Sequence, residues 1–432
     1  MKKVLIITYY WPPMGGGGVQ RWLKTSKYLR GYDWNPIICT AKDAEISMYD
    51  KSLEVDITEN LEVIRVPIWE PFKLYRLLTG RKKEKVNPGF LKKSDKESIF
   101  EGISLWIRGN LFIPDAKRFW YRPAVRKLSK YLKNNSVDVI VSTGPPHTTH
   151  LIAMHISKKF NVPWLADFRD PWTKIDFYHK LNISLRAEKI HKNLELKVLK
   201  NADAITTVSE SWSNDFFKLS DREPIVINNG YDPADFINKS IIKLDASFSI
   251  THAGSMNADR NPDIFWEALS SLIKEVSRFK NDLNVKLIGP VDISVIKSIQ
   301  KNNLNDYVTY TDNLNHDKVI DNLVSSQLLF LPLNNSPNVS GIIPGKTYEY
   351  IAAQRPILCV GDISGDTAKI LNKTNAGSVV GFDDKELIKE ELLRFYNLYK
   401  LRKLDVDSDN YKIYSRKALA AKFANVFEQI SK

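Results

Sequence analysis

Residues 340–358 read SGIIPGKTYEYIAAQRPIL and are the most informative stretch of the chain. They follow one apolar run, residues 327–333, and lead into another, residues 356–361, and both runs are typical of buried parallel strands. Strand, helix and strand in this order predict an open α/β sheet, in which ligands bind at the carboxyl ends of the strands. We therefore expect a ligand site in the loop and helix start between the two runs.

Two charged side chains stand near the start of the predicted helix. Gly345 follows a proline and begins the helix, and Lys346 and Glu349 then lie three residues apart on one face, with Thr347 between them. A helix N-terminus with a lysine suits a diphosphate, and a carboxylate one turn further suits the two hydroxyls of a ribose. The alternative is an ordinary surface Lys–Glu pair, but the glycine- and proline-rich entry after a buried strand favours the ligand site.

The same residues carry a family resemblance. From Lys346 to Pro356 the sequence is similar to the donor-site motif of the GT-B glycosyltransferases of family 4, a large retaining group. The resemblance implies two Rossmann-like domains that face a cleft, a nucleotide-sugar as co-substrate with no other cofactor, and a ribose contact from Glu349. The family motif usually carries another glutamate eight positions earlier, where this chain has Gly341. The resemblance extends over nearly the whole chain and includes residues 228–232.

Length, composition and charge limit the possible classes of protein. A chain of 432 residues with 43% hydrophobic residues is globular and long enough for two domains. Cys39 and Cys359 lie in apolar runs, which predicts buried side chains rather than a disulfide or a metal site and fits a reducing cytoplasm. The sequence has neither a signal peptide pattern nor a run of about 20 apolar residues. A net charge of +13 favours an acidic partner.

A glycine-rich loop follows the first predicted strand. Residues 4–10 are mostly apolar, residues 15–18 are four consecutive glycines, and an amphipathic helix is predicted after them. Glycines at this place allow backbone N–H groups to approach a phosphate or a sugar closely. The loop is not a dinucleotide fingerprint, because Gln20 stands where the last glycine is needed, and it is not a nucleoside-triphosphate loop either. The resemblance implies that Gly17 and Gly18 lie beside the donor diphosphate and the acceptor.

Polar side chains end two further strands of the first half. Residues 137–144 form an apolar run that leads to His147, and a later run leads into Asp167, Arg169 and Asp170. These groups are candidates for binding because they lie at the carboxyl ends of predicted parallel strands. The resemblance implies that His147 contacts the transferred sugar and that the two aspartates with Arg169 shape an acceptor pocket. The alternatives are a capping or solvent-facing histidine and an internal ion pair.

The second half begins a new series of strands and helices. Residues 248–254 predict a strand that ends in Gly254, where the resemblance implies contacts with the donor. The family usually has an arginine directly after this glycine, where Ser255 stands, and a lysine several residues later, near Arg260. Arg260 is therefore predicted to supply positive charge to the diphosphate, with a surface arginine as the alternative. The resemblance also assigns Ser209 to the donor site.

Residues 68–135 carry most of the excess positive charge. They contain 17 lysines and arginines against 6 acids, a difference of 17 − 6 = +11, and aromatic residues are spread through them. This composition suits an anionic membrane surface or single-stranded nucleic acid, and the plain alternative is a pair of packed amphipathic helices with a solvated basic face. The predicted apolar anchors are Trp106, Phe112, Phe119 and Trp120. The predicted electrostatic anchors are Arg81, Lys82, Lys83, Lys92 and Lys93.

These patterns predict an α/β protein with two doubly wound domains. The first domain spans residues 1–235 and includes the basic segment 68–135 as an insertion. The second spans residues 236–408, and residues 409–432 form a helix that crosses back to the first domain.

The resemblance implies a retaining glycosyltransferase. The predicted reaction moves a sugar from a UDP- or GDP-linked donor to a glycan or polyprenyl-linked acceptor of the cell envelope. His147, Arg260 and Lys346 are the predicted catalytic residues, and no metal is expected because the two cations stabilise the leaving diphosphate. We expect a cytoplasmic protein, peripheral at the inner leaflet, that binds no nucleic acid. A nucleic-acid-binding protein and a related GT-B epimerase are the alternatives.

Overall fold

The computed structural model describes residues 1–44, 49–69, 106–175, 178–406 and 408–432. The chain divides into two compact units. Unit 1 comprises Met1–Asn229 and Arg416–Lys432, and unit 2 comprises Gly230–Ser415. The electrostatic anchors predicted at residues 81–83 and 92–93 lie outside the described residues.

Each unit is built on one sheet whose strand pairings are all parallel. The strands of unit 1 are β1 (Lys2–Ile7), β2 (Trp34–Lys42), β3 (Glu62–Pro67), β4 (Val139–Gly144), β5 (Trp164–Phe168), β6 (Ala204–Thr207) and β7 (Ile225–Val226). The strands of unit 2 are β8 (Phe248–Ala253), β9 (Leu283–Ile288), β10 (Val308–Thr311), β11 (Leu328–Pro332), β12 (Ile357–Val360) and β13 (Gly377–Val380). Along the described chain, the strand order is β3-β2-β1-β4-β5-β6-β7 in the first sheet and β10-β9-β8-β11-β12-β13 in the second.

Helices alternate with these strands. In chain order they are α1 (Gly17–Leu29), α2 (Tyr121–Leu132), α3 (Thr148–Phe160), α4 (Leu185–Asn201), α5 (Glu210–Ser220), α6 (Asp263–Glu275), α7 (Ser277–Asp282), α8 (Ile293–Lys301), α9 (His316–Ser325), α10 (Lys346–Ala352), α11 (Asp366–Lys373), α12 (Lys385–Lys400) and α13 (Arg416–Ile430).

Alternate residues of β11 enter two separate hydrophobic clusters, which explains why its sequence is a continuous apolar run. Phe330 packs with Phe265 and Trp266 of α6 on one face of the sheet, and the rings of Phe265 and Phe330 stack at 3.8 Å. Leu329 and Leu331 pack with residues of α10 and α11 on the other face. A parallel sheet covered on both faces is the doubly wound α/β class, so the predicted fold class is confirmed.

The strand order reverses once in each sheet. In unit 2 the chain runs from β8 outward to β9 and β10, and then from β11 outward to β12 and β13, so the reversal lies between β8 and β11. In unit 1 it lies between β1 and β4. Open α/β sheets bind ligands at the carboxyl ends of the strands beside such a reversal. The loops after β1, β4, β8 and β11 are therefore the candidate binding loops.

The C-terminal helix α13 belongs to unit 1. It packs on α1 and β2, where the ring of Phe423 lies 4.7 Å from that of Trp22 and the ring of Phe427 lies 5.1 Å from that of Trp34. These contacts make α13 part of the hydrophobic core of unit 1.

The predicted apolar anchors differ in their exposure. Trp106 is 45% exposed and Phe119 is 37% exposed, and Phe119 packs edge to face on Trp69 at 4.9 Å. Trp120 is fully buried, and its ring lies 5.6 Å from that of Tyr9. The prediction that Trp120 anchors the protein to a membrane is therefore wrong, because its ring packs in the interior of unit 1. Aromatic spacing alone did not reveal which ring points inward.

Candidate functional site

The loop after β8 and the helix after β11 meet at the reversal point of unit 2. Gly254 directly follows β8 and adopts a φ of +103°, a conformation that favours glycine. A Cβ at Gly254 would also lie only 2.8 Å from Nζ of Lys346. Glycine is therefore required here for two reasons: the backbone conformation and the close approach of the lysine.

A buried histidine contacts the end of the Lys346 side chain. Nζ of Lys346 lies 3.2 Å from Nε2 of His252, and Nδ1 of His252 lies 3.0 Å from the carbonyl oxygen of Phe330. Because a carbonyl oxygen only accepts, Nδ1–H donates to Phe330 and Nε2 accepts from Lys346. Burial and the charge of Lys346 lower the pKa of His252 well below its usual value, so the imidazole is neutral.

A second cation lies near Lys346. Arg260 donates from Nε to Oδ1 of Asn334 and from Nη1 to the carbonyl oxygen of Ser255, both at 3.1 Å. Burial and the Arg260 charge lower the pKa of Lys346 well below its usual value, while the charge of Glu349 acts in the opposite direction. Because an anion between the two cations would relieve their repulsion, this arrangement favours binding of a negatively charged group.

The other residues that the sequence predicts for the nucleotide-sugar site lie at the start of α10. Gly345 is exposed, Glu349 is partly buried, and Thr347 is buried with no hydrogen-bond partner for Oγ1 in the described part of the chain. The hydroxyl of Tyr350 accepts a hydrogen bond from the backbone N–H of Ala253 at 2.8 Å. This bond ties α10 to the end of β8 and thereby fixes the start of the helix beside the loop after β8.

In unit 1, a buried arginine joins the loops after β1 and β4. Arg169 donates from Nη1 to the carbonyl oxygen of Gly18 at 2.8 Å and from Nη2 to the carbonyl oxygen of Pro145. A Cβ at Gly18 would lie 2.8 Å from Nη1 of Arg169, whereas a Cβ at Gly17 would meet open space. Arg169 therefore fixes the glycine loop, and Gly17 leaves space beside it. Asp170, the next residue after Arg169, is partly buried.

Asp167 is fully buried, and its carboxylate is saturated with hydrogen bonds. The donors are the side chains of Arg21, Trp22, Thr143 and Thr206. Burial acts to raise the pKa of this carboxyl, but the charge and hydrogen bonds of Arg21 outweigh it, and the pKa is lowered. The structure therefore favours the internal ion pair for Asp167, with Arg21 rather than Arg169 as its partner at 2.8 Å.

His147 stands at the start of α3 and is 6% exposed, which excludes the solvent-facing alternative. Its ring stacks on Trp172 with 4.6 Å between centroids and 4° between ring planes. Trp172 is itself fixed, because Nε1 donates to Nδ1 of His191 and its backbone N–H donates to Glu195, both at 3.0 Å. Nδ1 of His147 has no hydrogen-bond partner among the residues that the structure describes.

A second histidine lies beside His147 at the end of β4. Nδ1 of His150 lies 2.8 Å from Oγ of Ser142. Burial is the main cause that lowers the pKa of His147 well below its usual range and the pKa of His150 to about 3. Both rings crowd Gly144, where a Cβ would lie 2.8 Å from Nδ1 of His147 and 2.5 Å from Nε2 of His150. The two imidazoles are therefore neutral near pH 7 and pack against bare backbone.

The residues predicted from the sequence fall into two sets. The set in unit 1 contains Gly17, Gly18, His147, Asp167, Arg169, Asp170 and Ser209. The set in unit 2 contains Gly254, Ser255, Arg260, Gly345, Lys346, Thr347 and Glu349. Ser209 directly precedes α5, and its buried Oγ has no hydrogen-bond partner within the described ranges.

Comparison with known proteins identifies the fold. Residues 92–235 match the family model described as Glycosyltransferase Family 4. Sucrose-phosphate synthase from Thermosynechococcus elongatus superposes with a TM-score of 0.61 at 14% identity, with 99% of each chain covered. The chain has the fold of the GT-B glycosyltransferases. The GT-B fold that the sequence motifs indicated is thereby confirmed, and the resemblance to family 4 is confirmed over residues 92–235.

Two further solved structures agree with this fold over the whole chain. HepE from Anabaena in complex with UDP-glucose has a TM-score of 0.60 at 12% identity, with 99% of this chain and 100% of that chain covered. WaaG, a glycosyltransferase involved in lipopolysaccharide biosynthesis, has a TM-score of 0.57 at 14% identity, with 98% and 99% covered. No curated protein sequence matches the chain. The family match and the fold point to the same enzyme class, glycosyltransferase.

Sequence reasoning missed several residues that organise the two sets. His252 lies two positions before Gly254 within an apolar strand, and a polar residue in a buried strand is a signal that could have revealed it. Arg21 carries a similar signal, because it stands beside Trp22 and Leu23 on a helix with a buried face. Trp172 follows the charged residues 167–170, but nothing in its spacing predicts the stack on a histidine.

Among the described residues, no group of three or more His, Cys, Asp or Glu side chains could hold a metal ion. In the same part of the chain, no helix combines the length and the apolar character needed to cross a bilayer.

Proposed function

We propose that this chain is a retaining glycosyltransferase that uses a nucleotide diphosphate sugar, with UDP as the nucleotide. The observation that carries the proposal is the cluster of Lys346, Arg260 and Gly254 at the reversal point of unit 2, where two cations lie beside bare backbone. The family match over residues 92–235 and the GT-B fold support it. The relative HepE, whose structure contains UDP-glucose, supports the choice of nucleotide.

Two cations beside a glycine suit the diphosphate of such a donor. Negative charge grows on the diphosphate as its bond to the sugar breaks, and charges that are already in place stabilise it in the transition state. Lys346 and Arg260 are the residues proposed for this role, and Gly254 allows a phosphate to approach the backbone. Glu349 is proposed to bind the ribose, because one carboxylate accepts hydrogen bonds from both hydroxyls.

The sugar and the acceptor are assigned to unit 1. His147 is neutral, and its unpartnered Nδ1 suits a contact with a sugar hydroxyl. Gly17, where an added Cβ would meet open space, remains the predicted neighbour of the diphosphate and the acceptor. We propose that the acceptor hydroxyl attacks on the face from which the diphosphate leaves. Its proton passes to the departing phosphate oxygen, and no covalent adduct with the protein forms.

Thermal shift with a panel of UDP-, GDP- and dTDP-sugars tests the donor. We expect a UDP-sugar to raise Tm most, because a ligand that binds the folded state stabilises it by mass action. Lys346→Ala should reduce the shift, and Lys318→Ala, an exposed lysine of unit 2, should retain it. Turnover should persist in EDTA, since two protein cations already face the diphosphate charge. Absence of any shift, together with salt-sensitive binding of RNA, would favour the nucleic-acid-binding alternative.

We further propose that the acceptor is lipid-linked and that unit 1 docks on an anionic membrane surface at the cytoplasmic face. A groove of about 430 Å³ between α2 and α3 supports this. Its charged lining residues are all basic: Arg122, Arg126, Lys130, Lys133 and Lys159. Each of these side chains is exposed, and each lysine or arginine near an anionic surface contributes roughly 1 kcal/mol. Trp69, Trp106 and Phe119 are exposed aromatic residues of the same unit.

Sedimentation with phosphatidylglycerol vesicles tests this docking. We expect binding at low ionic strength and release at high salt, because exposed charges are screened. The triple variant Arg122→Glu, Arg126→Glu, Lys130→Glu should remain in the supernatant. The matched control reverses three exposed lysines of unit 2, Lys274, Lys297 and Lys301, and should still sediment. If the unmodified protein stays in the supernatant at low salt, a soluble acceptor replaces the lipid-linked one.

A further inference from the structure

His252 is buried in β8, directly beside the lysine assigned to the donor. It is 1% exposed, with Nε2 at 3.2 Å from Nζ of Lys346 and Nδ1 at 3.0 Å from the carbonyl oxygen of Phe330. The contact with Phe330 assigns the ring proton to Nδ1, because a carbonyl oxygen requires a donor, and the backbone of Ser255 also contacts the ring. The lone pair of Nε2 is therefore directed at Lys346.

A neutral acceptor orients a lysine without cancelling its charge. The lysine side chain is flexible, so holding it in one place requires a fixed partner. A carboxylate at the position of His252 would hold Lys346, but it would also compete with a diphosphate for the same positive charge. An imidazole makes one hydrogen bond and leaves the charge for a ligand. Gly254 completes the arrangement, because a side chain there would occupy the place of Nζ.

We propose that His252 is a positioning residue for Lys346, whose Nζ it holds over Gly254 in the place from which the lysine binds the donor diphosphate. This inference rests on the proposed function of Lys346 and adds a residue that contacts neither the substrate nor the reacting atoms. The role needs an acceptor at the position of Nε2, and a side chain that only fills the space does not suffice.

Two substitutions separate the roles of the two ring nitrogens. His252→Gln keeps an acceptor near the position of Nε2, whereas His252→Asn keeps a donor near Nδ1 and removes the acceptor for Lys346. We expect His252→Asn to weaken UDP binding and to lower kcat by about ten- to a hundred-fold, the range for losing a hydrogen bond to a charged group. His252→Gln should stay within about threefold, and thermal unfolding should show similar stability for both variants.

A double-mutant cycle with Lys346→Met decides whether the effect passes through the lysine. In the Lys346→Met background, His252→Asn should have no further effect on UDP affinity measured by calorimetry. Equal losses in the Asn and Gln variants, or the same loss with and without Lys346, would overturn the positioning role. If Lys346→Met alone changes neither UDP affinity nor turnover, the proposed function of Lys346 fails, and this inference fails with it.

Discussion

The side chains at the two reversal points, one in each sheet, differ in charge. In unit 1, the carboxylate of Asp167 is neutralised by its ion pair with Arg21, whereas the guanidinium of Arg169 donates to two backbone carbonyls. The imidazoles of His147 and His150 are held neutral by burial. Unit 1 therefore presents neutral imidazoles where β4 ends.

Unit 2 has the same kind of sheet but keeps its positive charges close together. Lys346 and Arg260 lie near enough for the second to lower the pKa of the first, and the partner of Lys346 is the neutral ring of His252. The two units therefore share a type of sheet but differ in the charge of the side chains at the reversal point. Neutral groups suit the hydroxyls of a sugar, and paired cations suit a diphosphate, so the difference predicts which half binds which part of the substrates.

The largest expected effect tests the internal neutralisation in unit 1. Asp167→Asn leaves Arg21 buried without its partner, and we expect a loss of about 3–5 kcal/mol in the free energy of unfolding, measured with urea. The double variant Asp167→Leu, Arg21→Met should lose less than the two single losses combined, because no charge is then left unpaired. Unchanged stability with a raised KM for the acceptor would instead make Asp167 an acceptor-binding residue.

The next effect tests the positive charge of Lys346 in unit 2. Lys346→Ala should lower kcat by about 100-fold or more, the usual effect of removing one donor that stabilises charge in a transition state. Steady-state kinetics at saturating donor measure it. Lys318→Ala is the control, because that side chain is 70% exposed in the same unit. Full turnover in the Lys346→Ala variant would show that this positive charge does not act in the reaction, which would contradict the proposed difference between the two units.

Acidification should act through the buried histidines, which include His147, His150 and His191 of unit 1 and His252 of unit 2. The pKa of His150 is about 3 in the folded protein against 6.5 ordinarily, so only the unfolded chain takes up a proton between these values. Stability is therefore retained above pH 6.5 and lost as the pH falls below it, by about 2 kcal/mol at pH 5 for this one group. The charge of Asp167 acts to raise the pKa of His150, and the charge of Arg169 acts to lower it. Burial also lowers the pKa of His147 and of His191.

Urea unfolding at pH 7 and pH 5 measures this loss. His150→Gln should flatten the dependence of stability on pH, whatever its effect at pH 7, because it removes one proton-binding group of the unfolded chain. His155→Gln is the control, since His155 lies on the exposed side of the same helix α3. An unaltered pH dependence in the His150 variant would mean that other groups cause the acid sensitivity.

The smallest expected effect concerns the stack on His147. Trp172→Leu removes the ring, and we expect kcat to fall by up to about tenfold with donor affinity unchanged, since an aromatic pair contributes about 0.5–1.5 kcal/mol. Trp172→Phe keeps a ring and should lose less. Trp266→Leu is the matched control, because Trp266 is equally buried and Nε1 also donates one side-chain hydrogen bond, to Asn261 at 2.9 Å. Equal kinetic losses in both leucine variants would point to general destabilisation.

The fold was predictable because its signals are local. Continuous apolar runs such as 327–333 and 137–144 require a strand covered on both faces, and each run ends in glycine, proline or a polar group. The position of Lys346 at a helix start followed from the Pro-Gly pair before it. These features depend on neighbours in the sequence, so no knowledge of distant contacts was needed.

The arrangement within each set was not predictable, because it depends on contacts between distant residues. Arg21 lies 146 positions from Asp167, and His252 lies 94 positions from Lys346. The sequence suggested Arg169 as the ion-pair partner of Asp167 because it is nearby in the chain, yet Arg169 bonds to backbone carbonyls instead. Trp120 was misjudged for the same reason, since only the packed structure shows which aromatic ring is enclosed.

The helix α13 also bears on the order in which the protein is made. It supplies Leu419, Phe423 and Phe427 to the core of unit 1, yet it is synthesised only after the whole of unit 2. Domains fold as units during synthesis, and unit 2 is one uninterrupted segment, Gly230–Ser415. Trp22 of unit 1 therefore gains its aromatic partner Phe423 only after the whole of unit 2 has been synthesised, so unit 1 cannot complete its core before that point.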